Sequence, residues 1–128
     1  MRRLSSALVL LAGVVNLLPV SGAISAARLE ALYGVAFREP NLVVLMRHRA
    51  LLFGIVGVLL VVSAFRPALR TAGLAAGLFS MLSFVAIAWL AGEVNAELRR
   101  VAVVDVVASA ALIFAAVLDA RTARAGAA

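Results

Sequence analysis

Asn16, Arg47, Arg49 and Asp105 are polar side chains set within long apolar runs, and they could do chemistry that their neighbours cannot. An ionisable side chain inside a membrane span costs about 2.5–3.5 kcal/mol on insertion scales, so each needs a partner or a reason. A carboxylate beside a guanidinium could relay a proton or hold an anion. The same pair could also do no more than fix helix register, a well-attested use of buried polar groups. With the second and fourth runs starting on one side of a bilayer, Arg47 follows Asn41 by six residues and Asp105 follows Val101 by four. Helical rise turns these offsets into depths of about 9 Å and about 6 Å, close enough to pair. Phase separates the two arginines. Arg47 shares a face with Ala50, Gly54, Gly57 and Val61, and small residues mark the surface where membrane helices approach closely. Arg49 shares its face with Phe53, Val56 and Leu60, so it is expected to snorkel outward. The sequence thus predicts an intramembrane cluster of Arg47, Asp105 and Asn16, with Arg38, His48 and Arg49 at lipid headgroups.

Other chemistries find little material. All twelve basic residues are arginine, which removes the phosphate-binding loop and its terminal lysine. There is no cysteine for thiol catalysis or thiolate metal sites. One histidine and six carboxylates cannot easily supply the three or four convergent ligands of zinc, so neither metal nor cofactor is expected. Glu93 and Glu97 are neighbours on a helical turn, but Arg99 and Arg100 beside them make a solvated, charge-balanced loop. Nothing orders Ser, His and Asp into a triad, and no catalytic residue is assigned. The net charge of +6 comes from arginines that flank apolar runs. Anionic lipid headgroups, not nucleic acid, are their natural counter-charge.

The elements that must position these residues are four apolar stretches in 128 residues: Leu4–Ala26, Asn41–Phe65, Leu69–Ala91 and Val101–Leu118. Hydrophobic residues make up 66% of the chain and mean hydropathy is +1.15, where roughly half is usual for a soluble domain. A bilayer core of about 30 Å is crossed by about 20 helical residues. The expected fold is all-α, an up-down four-helix transmembrane bundle forming a single domain. Met1-Arg2-Arg3, the apolar centre and Ser21-Gly22-Ala23 resemble a signal peptide. The length of the run and the three spans after it favour retention. Pro19 should kink this span, because it conflicts with the carbonyl of Val15. Between Ala27 and Pro40, Leu29, Leu32, Tyr33, Ala36 and Phe37 form one stripe, which predicts a short amphipathic segment in the headgroup region. Gly54, Gly57, Gly73 and Gly77 are expected at helix contacts, within the bundle or between subunits. Tyr33 and Trp89 read as interfacial anchors. A flexible tail is expected from Asp119 to Ala128.

Arginine placement bears on orientation. Arg2, Arg3, Arg66, Arg70, Arg121 and Arg124 fall on one side, and the other six on the opposite side. Discounting Arg47 and Arg49 as intramembrane leaves six against four, which places both termini in the cytoplasm.

The run from Leu32 to Gly54, with its Phe37-Arg-Glu-Pro40 and Arg47-His48-Arg49 motifs, resembles a group of short bacterial four-helix membrane proteins similar in plan to the DoxX-like proteins. That resemblance implies a first span, an interfacial segment and an arginine-led second span in the bacterial cytoplasmic membrane. It implies no activity. Proteins of this kind are sometimes labelled phosphopantetheine adenylyltransferase, but the lone His48 does not resemble that enzyme's histidine-containing phosphate motif. The expected role is a structural or accessory membrane protein that binds lipid or a partner's helix, as a homo-oligomer or within a larger membrane complex. Two alternatives are a dimeric transporter using Asp105 and Arg47, and an enzyme subunit acting on a lipid or quinone. The short four-span chain resembles the small multidrug exporters, but Asn16 stands where those carry an embedded glutamate in the first span.

Overall fold

The computed structural model describes residues 1–126, and these are all-helical. The helices are α1 (Arg2–Leu17), α2 (Ala26–Tyr33), α3 (Pro40–Phe65), α4 (Arg70–Ala91) and α5 (Ala96–Ala125). Among the described residues, four stretches are long and apolar enough to cross a membrane: Arg2–Ala23, Pro40–Phe65, Pro67–Ala91 and Ala96–Ala125.

Local chemistry sets the boundaries. Pro19 has no N–H to give the Val15 carbonyl; the Leu18 N–H takes that carbonyl instead and opens a 3-10 helix over Leu18–Ala23. What the sequence presents as one kinked span is therefore an α-helix prolonged by a tighter turn. Ser25 starts α2 by accepting from the Arg28 N–H, and Gly34, at φ 64°, ends it in the left-handed region. The Glu39 carboxylate caps α3 by accepting from the N–H groups of Asn41 and Leu42 at 3.0 and 2.7 Å, with Pro40 at the first position. Those two donors hold the Glu39 carboxyl below the usual carboxylate range.

The fifth helix corrects two expectations. It starts before Val101, because Asn95 accepts from the Leu98 N–H at 2.8 Å and Glu97 suits the positive end of the helix. It also runs past Leu118, so Asp119 to Ala125 continue the helix that a flexible tail was expected to follow. The last two residues of that expected tail lie outside the described residues. By contrast, α1 and α4 have no side-chain cap at their starts.

Packing follows the glycines. Gly13 lies against Val61, Leu17 against Gly57, and Val20 against Gly54, so the numbering rises along one partner as it falls along the other. The same opposite register joins α3 with α4, through Ser63 with Gly73 and Leu60 with Gly77, and α4 with α5, through Gly77 with Leu112 and Met81 with Ser109, while the Ser5 hydroxyl donates to the Ala115 carbonyl between α1 and α5. A Cβ on Gly57 would stand 2.7 Å from Leu17 Cδ2 and 3.1 Å from the Gly13 carbonyl, which is why a glycine is needed there. Gly77 is also pressed close, its Cβ position 3.0 Å from Leu60 and Leu112. Val9, Ala12, Leu60, Ala64, Met81, Ala108, Leu112 and Ala115 form the shared core of α1, α3, α4 and α5. Larger apolar side chains, Ile55, Phe79, Trp89 and Leu90 among them, point outward and are mostly exposed. Water disfavours such a surface, and hydrocarbon does not.

Candidate functional site

Arg49 stands among aromatic rings drawn from three elements. It follows the start of α3 by nine residues, as Asp105 follows the start of α5 by nine. Helical rise puts both about 14 Å along their helices. Around the guanidinium stand three rings on three different elements. The Arg49 Cζ is 5.1 Å from the Phe53 ring centre, 5.4 Å from Phe84 and 5.9 Å from Tyr33. Each ring presents its negative face to the cation, so aromatic faces stand in for part of the hydration the arginine gives up. Tyr33 is buried at the end of α2. Burial pushes its phenol above the usual range, the Arg49 charge opposes that rise, and the Asp105 carboxylate adds to it. Tyr33 therefore lies within electrostatic reach of both charges. Arg49 and Asp105 act on one another through space, but the one ion pair within 4.0 Å among the described residues lies elsewhere.

Beside Arg49, a groove of about 540 Å³ opens between α3 and α4. Its walls include Phe53, Val56, Ala76, Phe79 and Phe84, with Ser80 and Ser83 as the other polar residues besides the arginine. The Ser83 hydroxyl donates to the Ser80 carbonyl at 3.0 Å, so that proton is committed to its own helix. The groove can accept an apolar chain and offers one strong cationic group. No set of three or more metal-ligating side chains comes together among the described residues.

The cluster of Arg47, Asp105 and Asn16 is not assembled. Arg47 is exposed and its Nε donates to the Ala23 carbonyl at 2.8 Å. Asn16 is buried, and its amide donates to the Ala12 carbonyl of its own helix at 3.2 Å. The reason lies in how many faces α3 uses. Its Gly54–Gly57 stripe packs on the first span, and Arg47 follows that stripe to the span's exit. A second face, carrying Leu60 and Ser63, packs on α4, and half-buried Arg49 follows that one. An outward-snorkelling Arg49 is thus corrected to an arginine in an aromatic cage. Arg38 and His48 are exposed, as are Glu93, Arg99 and Arg100. The Gly54, Gly73 and Gly77 positions each have a neighbouring side chain where a Cβ would go.

At the opposite end of the molecule, α4 begins with a residue absent from the expected cluster. Arg70 Nε lies 3.4 Å from Asp119 Oδ2, its Nη2 donates to Ser6 Oγ at 2.7 Å, and its side chain is 15% exposed. From the sequence, Arg70 is a flanking charge and Asp119 belongs to a tail. The available signal was an isolated carboxylate on the side where six arginines gather. Tyr33, expected as an interfacial anchor, is buried, in keeping with its place on the apolar stripe of its segment.

The chain matches no protein-family model, and no curated protein or solved structure is similar to it at a significant level.

Proposed function

We propose that this chain is a small multi-pass membrane protein of accessory kind that holds an anionic amphiphile, with its tail in the α3–α4 groove. The observation carrying the reading is Arg49, caged by Tyr33, Phe53 and Phe84 at an apolar groove of about 540 Å³. Sites for such ligands are mostly apolar with a few placed polar groups, which fits one arginine and two serines among aliphatic and aromatic walls. The opposite register of neighbouring helices supports an up-down bundle. The short α2, with exposed Arg28 and Glu30 and buried Leu29 and Tyr33, supports a segment lying in the headgroup region. The arginine count supports both termini on the cytoplasmic face, and the resemblance to DoxX-like proteins supports a bacterial cytoplasmic membrane. No nucleophile ordered by a base accompanies Arg49, so binding is favoured over catalysis.

The test is native mass spectrometry of the full chain released from mild detergent after exposure to phosphatidylglycerol. Wild type should retain lipid, and Ala76→Phe, which fills the groove, should retain fewer molecules. Equal retention by the two proteins would remove the groove from the reading.

A further inference from the structure

The two ends of the molecule carry similar numbers of arginines but very different net charge. Arg2, Arg3, Arg66, Arg70, Arg121 and Arg124 share one end with a single carboxylate, Asp119. The other six arginines share theirs with Glu30, Glu39, Glu93, Glu97 and Asp105. Six against one, compared with six against five, puts nearly all of the net +6 at the Arg70 end. That end also holds a polar cavity of about 410 Å³ among the starts of α1 and α4 and the last turns of α5. Arg2, Ser6, Arg70, Asp119 and Thr122 contribute to its walls.

The cavity wall holds one unsatisfied group of each sign. Arg70 Nη1 and Asp119 Oδ2 are both buried and neither finds a hydrogen-bond partner in the protein. A buried donor left unmade costs about 1–3 kcal/mol, and more for a charged group. Both helices that start here do so without a side-chain cap, and both place arginine in the first turn, against the sign of the helix dipole. The three helices that start at the other end are capped by Ser25, Glu39 and Asn95. Cationic side chains therefore converge around a single carboxylate, Asp119.

We propose that this cavity is a docking site for the phosphate of an anionic phospholipid in the leaflet bordering the two terminal helices. Arg2 and Arg70 bind the phosphate, and the lipid's tails run down the apolar outer surface of the helices. Because Nη1 is itself covered, the phosphate engages it by rotation of the Arg70 guanidinium. The inference rests on the membrane reading but not on the α3–α4 groove, which lies toward the other end.

The site is tested by native mass spectrometry of the full chain in mild detergent, titrated with phosphatidylglycerol or with phosphatidylcholine of the same chains. Phosphatidylglycerol is expected to bind more tightly. Arg2→Gln, an exposed change that leaves the core alone, should weaken that binding about fivefold, the worth of one arginine near an anionic surface. Arg70→Gln should weaken it further if its thermal midpoint shows it folded, and Arg28→Gln at the other end should not change it. Ala76→Phe should lose the groove's lipid and keep this one, so failure of either site shows separately. Equal binding of the two lipids, an unchanged Arg2→Gln, or displacement of the lipid by millimolar inorganic phosphate would overturn the proposal.

Discussion

Arg49 and Arg70 are both arginines withdrawn from solvent, and the protein accommodates them in opposite ways. Arg70 is neutralised by an ion pair: Asp119 lies 3.4 Å from its Nε and the Ser6 hydroxyl accepts from Nη2 at 2.7 Å. Arg49 has rings in place of a bonded carboxylate, with Phe53, Phe84 and Tyr33 within 5.9 Å of its Cζ and Asp105 beyond ion-pair reach. The difference follows from depth. Arg70 is the first residue of α4, at an end of the molecule, where an incompletely paired guanidinium is tolerated. Arg49 lies well inside its helix, where quadrupoles screen a charge without adding a second one that must also be desolvated.

Removing Asp119 should have the largest effect. Asp119→Leu leaves Arg70 with only neutral acceptors, the Ser6 hydroxyl and the Ala64 carbonyl, and both side chains of the pair are less than one-third exposed. Removing one partner of a buried ion pair costs about 3–5 kcal/mol because the other charge is left uncompensated, and a loss of about 2 kcal/mol is expected after allowing for partial exposure. The thermal midpoint in detergent, followed by circular dichroism, reads it. Pairing the change with Arg70→Met should recover much of the loss, because the uncompensated charge leaves with the arginine. If the double variant is as unstable as the sum of the single ones, Arg70 and Asp119 are not coupled.

The contrast between the two ends was partly legible in the sequence. Four long helices and the small residues between them follow from composition and spacing, because a span must be apolar over about 20 residues whatever it packs against. Gly57 could be singled out because a close helix crossing admits nothing larger. The polar pairing could not be read in the same way. Gly54 and Gly57 mark one contact face of α3, and α3 has two, so assigning Arg47 to the interior by shared phase chose the wrong neighbour. Counting depth from Asn41 and Val101 pairs Asp105 with Arg47, whereas α5 starts at Ala96, so that Asp105 and Arg49 each follow their helix start by nine residues. That start depends on the Asn95 cap, a local hydrogen bond hidden within a hydrophilic connection. Asp119 was missed for a related reason, since a polar stretch after an apolar run looks like a tail until a helix partner is known.

A middle-sized effect separates the two arginines of α3. Arg49→Gln removes a cation from three ring faces and should lower stability by about 1–2 kcal/mol, the range for partly desolvated cation–π contacts. Arg47→Gln removes an exposed side chain with one carbonyl acceptor, 2.8 Å away, and should cost about 1 kcal/mol or less. Phe84→Leu should reproduce part of the Arg49→Gln loss in wild type and little of it when Arg49 is already glutamine. Thermal midpoints of the four proteins, compared as a cycle, check this. Additive losses would mean that the ring does not sense the charge.

The smallest effect concerns the caps that one end has and the other lacks. Glu39 is fully exposed, and its carboxyl is held low first by the Asn41 N–H and then by that of Leu42. A carboxylate depressed in the folded state contributes stability that is present above its unfolded value and is lost as pH falls through its folded one. Glu39→Gln keeps the shape but weakens the acceptor. Wild type should therefore exceed the variant in thermal midpoint at neutral pH, and the two should converge on acidification below the usual carboxylate range. The starts of α1 and α4 have no such cap, so no titration of this kind arises from them. A Glu39→Gln difference that persists unchanged into acid would show that the cap acts through geometry alone, leaving the charge of this end out of its stability.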